Sequence, residues 1–257
     1  MTVLLLKLTI TPAAIALTTL AARRYGNSVG GWLIGLPVTA APVALFLALE
    51  HGSSFAAKVA LGLVTGVTAQ AAFIVAYVAL CKRGAGWPLA LAAGTAAFAA
   101  AGVGLGLVQP RLAVVWLCSL AALGAGLAFV PSRAFVRPVA PPRFDLPLRM
   151  VLATALVLAI TALATTLGPV MSGVVTAYPV LSTLLAVLAH RAAGPQAAVA
   201  VYRGLLIGLF ALMGFGCALA LLLSRLSLGD AFGLALALTL LIQLGSLRVV
   251  RRTATVT

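Results

Sequence analysis

Acidic residues are nearly missing from this chain. Glu50, Asp145 and Asp230 are its whole acidic inventory, against 17 Lys+Arg in 257 residues. All three fall at the ends of apolar runs or between them. That excludes paired carboxylates for general acid–base work, and a carboxylate at a membrane centre of the kind many ion-coupled pumps use. Charge of either sign is scarce: 8% of residues, where a soluble domain carries roughly 25%. Too few polar groups exist to cover a globular surface in water. Cysteines are few (Cys81, Cys118, Cys217) and show no CxxC spacing, so neither a metal site nor a disulfide framework is expected. No HExxH, Cys/His cluster or glycine-rich phosphate loop is present. The sequence predicts no catalytic residue, no metal and no cofactor, and so no enzyme.

What is abundant is apolar sequence. Hydrophobic residues make up 63% of the chain and the mean hydropathy is +1.22. Runs of about 20 apolar residues, the length that crosses a bilayer as a helix, recur almost end to end. They predict an all-α polytopic membrane protein with about nine transmembrane helices, over 3–22, 29–49, 55–80, 87–108, 112–130, 148–167, 169–189, 196–223 and 231–247. Lys7 interrupts the first run and no clean cleavage site follows, so that run reads as a span rather than a signal peptide. The one long hydrophilic connection, 131–147, holds five prolines together with Arg133, Arg137 and Arg143. Such a stretch is extended and semi-rigid. The organisation that follows is a first membrane repeat over 1–108, a linker helix and Pro/Arg-rich cytoplasmic loop over 109–147, and a second membrane repeat over 148–257.

The net charge of +14 would point to nucleic acid in a soluble chain. Here the cations lie in loops and set orientation. With nine spans, Lys7, Lys58, Arg111 and Arg225 share the N-terminal side. Twelve others, from Arg23 and Arg24 to Arg251 and Arg252, share the opposite side. The positive-inside rule then puts the N-terminus outside and the C-terminus in the cytoplasm. The expected location is a bacterial inner membrane. The expected partners are lipids and a small-molecule substrate, not nucleic acid, with self-association left open.

One stretch has an echo. Gly30-Gly31-Trp32-Leu33-Ile34-Gly35-Leu36-Pro37-Val38-Thr39-Ala40-Ala41-Pro42 leads to Glu50-His51-Gly52. Later, Gly168-Pro169-Val170-Met171-Ser172-Gly173-Val174-Val175-Thr176-Ala177-Tyr178-Pro179 leads to His190-Arg191. Matching the Thr-Ala pairs sets Thr39 against Thr176 and Pro42 against Pro179, 137 residues apart. Gly62 and Gly66 match Gly204 and Gly208 at an offset of 142. An odd number of spans separates the copies, which predicts two inverted four-helix repeats joined by a linker helix, with Pro-broken helices at equivalent positions. The order of basic turn, Gly-rich start, Pro-interrupted helix and His-bearing turn resembles the GlpM family of small bacterial membrane proteins. The resemblance covers Arg24 through Gly52 and, more weakly, Ser172 through Gly208. Those proteins are about half this length, so the resemblance implies a tandem duplication and carries no defined activity.

Interrupted hydrophobic segments in corresponding places of two halves point to a transporter's central site. Proline removes an N–H and frees a carbonyl one turn earlier. The candidate substrate-binding residues are therefore Thr39, Pro42, Thr176, Tyr178 and Pro179. Gln70, polar in mid-span, and Arg203, inside a span where it could hold an anion, join them. Thr176 and Thr183, seven apart, are expected to share one helix face. The function expected is secondary transport of a small neutral, amphipathic or anionic organic solute by alternating access. The alternatives are a lipid-handling or scaffold protein whose kinked helices merely pack, and a channel.

Overall fold

The computed structural model describes residues 2–25, 36–108, 111–131 and 144–254. The glycines at the head of the first copy (Gly30, Gly31 and Gly35), the turn at Gln109-Pro110 and most of the Pro/Arg-rich connection lie outside them. The described residues form ten helices and no strands: α1 (Thr2–Tyr25), α2 (Ala40–His51), α3 (Ser53–Lys82), α4 (Trp87–Val108), α5 (Leu112–Phe129), α6 (Asp145–Leu167), α7 (Pro169–Thr176), α8 (Val180–Ala193), α9 (Pro195–Leu222) and α10 (Leu228–Ala254).

Six helical segments are long and apolar enough to cross a membrane: Ser53–Lys82, Trp87–Val108, Leu112–Phe129, Leu146–Thr176, Pro195–Leu222 and Leu228–Ser246. Shorter apolar helices are Leu5–Leu17, Ala40–His51 and Val180–Ala193. Large apolar side chains such as Leu17, Leu107, Val108 and Leu241 stand exposed on the outer helices, a surface suited to lipid rather than water. This is an all-helical membrane protein.

Two helices form its axis. Within their apolar windows α3 is 72% and α9 67% buried, against 22–28% for the other long spans. They cross at small residues: a Cβ on Gly216 would stand 3.1 Å from the Ala60 carbonyl oxygen. Without a hydrophobic drive between helices in lipid, such close approach is what dispersion requires. Around this pair, α4, α5 and α7 pack on α3, α8 and α10 pack on α9, and α1 packs on α6. Ser119 of α5 is fully buried. Its hydroxyl donates to the Val64 carbonyl at 2.9 Å and shares a 2.9 Å bond with Thr68.

Single glycines join helices that meet end to end. Gly52 joins α2 to α3 (φ 86°, ψ 167°), Gly168 joins α6 to α7 (φ 72°, ψ 166°) and Gly194 joins α8 to α9 (φ 84°, ψ 178°). This region of backbone space is open almost only to glycine. Pro169 and Pro195 follow two of these turns as first helical residues, where the missing N–H costs nothing.

The helices depart from the sequence expectation in three places. The polar tail carrying Arg248, Arg251 and Arg252 continues α10 rather than ending it. Helix α6 begins at Asp145 and takes Pro147 into its first turn, where proline is tolerated for lack of an intrahelical partner. And the proline break expected within 169–189 falls between Thr176 and Val180, separating two residues that were expected on one face. Thr176 and Thr183 therefore share no helix face, because the residues between them leave the helical path.

Candidate functional site

The break between α7 and α8 is built by Tyr178-Pro179-Val180. Pro179 has φ −80° and ψ 55°, an inverse γ-turn. The Val180 N–H donates back to the Tyr178 carbonyl at 2.8 Å, and Thr183 N–H starts the new helix on the Pro179 carbonyl at 2.8 Å. Before α2 the same pattern appears at Leu36-Pro37-Val38. Val38 N–H donates to the Leu36 carbonyl at 2.7 Å, and Ala41 N–H to the Pro37 carbonyl at 2.8 Å. The matching residue is thus Pro37. Pro42, expected to be the partner of Pro179, is buried in the first turn of α2; Ala41 and Val43 on either side of it donate to the Pro37 and Thr39 carbonyls, so its missing N–H leaves only the Val38 carbonyl without a helical donor and does not break the helix path.

Both breaks open on one pocket. Its wall includes Pro37, Thr39, Gln70, Thr176, Tyr178 and Pro179. The space admits water centres over about 40 Å³, room for roughly three water molecules. Of the residues expected from sequence, five line it: Thr39, Gln70, Thr176, Tyr178 and Pro179. Pro42 and Arg203 do not.

Gln70 of α3 is the polar centre. It is 4% exposed, and its Nε2 donates to the Ala177 carbonyl at the end of α7. A broken helix leaves carbonyls without partners in a medium that offers none, which is costly. The Gln70 amide meets one of them. That bond fixes the amide orientation, and the Oε1 atom is left without a partner among the described residues. Thr176 donates to the Ser172 carbonyl at 2.6 Å, within its own helix, so its hydroxyl is left as an acceptor only. Thr39 is the N-cap of α2 but makes no side-chain capping bond. Tyr178 reaches across to α4, where its hydroxyl lies 2.9 Å from that of Thr95. Phe98 meets its ring edge-on, with centroids 5.1 Å apart.

The remaining end of α9 has a different task. Arg203 Nη1 donates to the carbonyls of Leu127 and Val130, the last turn of α5. The guanidinium thus satisfies carbonyls that the helix end leaves orphaned. It is a cap rather than a wall of the pocket.

Three features escaped the sequence reading. Pro37 lies five residues before the proline that the Thr-Ala match pairs with Pro179. Ser182, at 1% exposure, enters the pocket wall from the first turn of α8 and bonds the Pro179 carbonyl at 3.1 Å. Glu50, expected only at the end of an apolar run, has a partner within the fold. It is 29% exposed and forms a 2.5 Å ion pair with Lys7 of α1, itself 9% exposed. Lys7 also donates to Thr161 of α6 at 3.0 Å. The only advance signal was a lysine inside an apolar run. His190 Nδ1 lies 3.0 Å from the Tyr77 hydroxyl, which ties α8 to α3.

No family model, curated protein or solved structure matches the chain.

Proposed function

We propose that this protein is a secondary membrane transporter of a small organic solute, working by alternating access at the pocket between its two broken helices. The observation that carries the reading is the convergence of two proline breaks of like geometry on one pocket, with Gln70 between them. An isolated kink needs no cavity and no partner kink. Two half-helices ending at one water-sized space make a site from backbone groups that a continuous helix would have consumed.

The reading includes nine spans in two inverted four-helix repeats joined by α5, with the N-terminus outside and the C-terminus cytoplasmic. Local geometry supports a single register for the repeat. Pro37 and Pro179, Gly52 and Gly194, and Gly62 and Gly204 are all 142 residues apart. The same offset relates two buried cations, Lys7 and Arg149. On this register α1 to α4 correspond to α6 to α10, with α7 and α8 as the two halves of one broken span. It is also what a duplicated unit of the GlpM kind would give.

The test is solute counterflow in proteoliposomes, with labelled candidate solutes spanning neutral, anionic and cationic classes. Saturable, self-inhibited accumulation of at least one solute is expected. Gln70→Leu should lower it at least ten-fold, because the Ala177 carbonyl loses its partner and the pocket its polar centre. A lipid-handling or scaffold protein would give no saturable uptake of any solute, and a channel would give flux that does not saturate.

A further inference from the structure

Among the described residues, the pocket wall contains no charged side chain. Its electrostatics therefore come from backbone: α7 brings its carbonyl end to the wall, where Gln70 meets the Ala177 carbonyl, and two other helices present their N–H ends. Helix α2 (12 residues) begins at Ala40 and α8 (14 residues) begins at Val180; the residues opening both line the pocket. In α8 the first intrahelical bond is made by Thr183, so Leu181 and Ser182 keep their N–H groups. In α2 the first bond is made by Ala41, so Ala40 keeps its own. Among the described residues none of these three N–H groups has an acceptor. The helix dipole adds partial positive charge at each of these ends. The Thr39 hydroxyl, unused as a cap, adds a fourth donor.

A second observation comes from α3. Gln70 is 96% buried and lines the pocket, and its Oε1 has no hydrogen-bond partner among the described residues. Because Nε2 is committed to the Ala177 carbonyl, what Gln70 offers at this atom is an acceptor. A ligand matching the pocket thus needs an acceptor-rich, negatively charged group at the α2 and α8 ends. It also needs a hydrogen-bond donor, close to that group, for Gln70. Room for roughly three waters limits it to a few heavy atoms. An ammonium donor would need a carboxylate or several carbonyls, and the wall has no carboxylate.

Resting on the transport reading above, we infer that the substrate class is a short 2-hydroxymonocarboxylate. Its carboxylate sits on the N–H groups of Ala40, Leu181 and Ser182 and on the Thr39 hydroxyl. Its hydroxyl donates to Gln70 Oε1.

The experiment is counterflow with the full-length protein in liposomes. The solutes are 2-hydroxypropanoate, propanoate, propane-1,2-diol, propylamine and a dicarboxylate of similar length, each with two variants. Thr39→Asp puts a carboxylate where the substrate's would sit, at an N-cap position that favours aspartate, so the fold tolerates it. It should cut 2-hydroxypropanoate uptake at least ten-fold. Gln70→Leu should cut 2-hydroxypropanoate uptake at least ten-fold and abolish its preference over propanoate, with monodisperse elution and wild-type helical circular dichroism in detergent showing that the variant has folded. Saturable uptake of the diol, the amine or the dicarboxylate, without uptake of 2-hydroxypropanoate, would overturn the substrate class and leave transport standing. Uptake of 2-hydroxypropanoate unaffected by Thr39→Asp would overturn the assigned position of the carboxylate. No saturable uptake of any of these or of the broader panel would overturn both readings.

Discussion

Gly173→Ala should destabilise the fold by about 3 kcal/mol, the upper end of what an added methyl costs in a packed interior. Helix α7 crosses α3 at Gly173 and Gly62 with no room for a side chain on either. A Cβ on Gly173 would run into the Val59 carbonyl oxygen, and would stand 2.8 Å from the Gly62 Cα and the Leu63 N. A Cβ on Gly62 would run into the Val170 carbonyl oxygen in return. All of these are backbone atoms of helices fixed at several other places, so no rotamer change relieves the clash. The consequence reaches the pocket, because α7 carries Thr176 and Ala177 into its wall. The check is thermal unfolding in detergent, with Gly124→Ala as control. Gly124 has no atom within 4 Å of its would-be Cβ, and alanine there should be neutral or stabilising by up to about 1 kcal/mol. Equal melting of Gly173→Ala and wild type would mean that α3 and α7 do not cross as described.

The second large effect is at the Lys7–Glu50 pair. Glu50→Ala should cost about 3 kcal/mol, because it leaves the Lys7 ammonium in a nearly closed site with one neutral partner, Thr161. Removing one member of a buried pair costs about 3–5 kcal/mol, and the partial exposure of Glu50 places the value at the lower end. The Phe46 ring, 5.8 Å from Nζ, offers only weak cation–π compensation at that range. Replacing both residues with methionine should recover most of the loss, since desolvation of both charges is then avoided. Thermal unfolding of the two single variants and the double variant gives the coupling directly. Additive losses would mean that the two side chains do not meet. The pair joins α1 to the far end of α2, the helix whose near end opens the pocket, so its loss should also loosen that break.

Much of the site could be read from residue types. A proline, a mid-span glutamine and clustered hydroxyls are expensive in lipid, so their presence marks places where the helix path or its partners are unusual. Thr39, Gln70, Thr176, Tyr178 and Pro179 were found that way. The register was harder. Small and apolar residues match one another by chance, and the Thr-Ala pairs paired Pro42 with Pro179. Only backbone hydrogen bonds show that Pro37 makes the turn while Pro42 sits inside the new helix and costs it one bond, that to the Val38 carbonyl. Arg203 was misjudged for a related reason. A cation within an apolar run can answer a ligand or a helix end, and only the approach of α5 shows which. The Lys7–Glu50–Thr161 contact joins α1, α2 and α6 across 43 and 154 residues of sequence, and no local pattern encodes such a meeting.

The central claim is that the pocket at the paired breaks is reached from both faces of the membrane, one at a time. Accessibility of a cysteine at Thr39 tests it most directly, in a protein whose Cys81, Cys118 and Cys217 have been replaced by alanine. A membrane-impermeant maleimide would be added to right-side-out and to inside-out vesicles. The account predicts slow labelling from each face, with a substrate of the pocket protecting the cysteine from both sides. Absence of labelling from either face would contradict it, and so would labelling from both that no solute in the panel can slow.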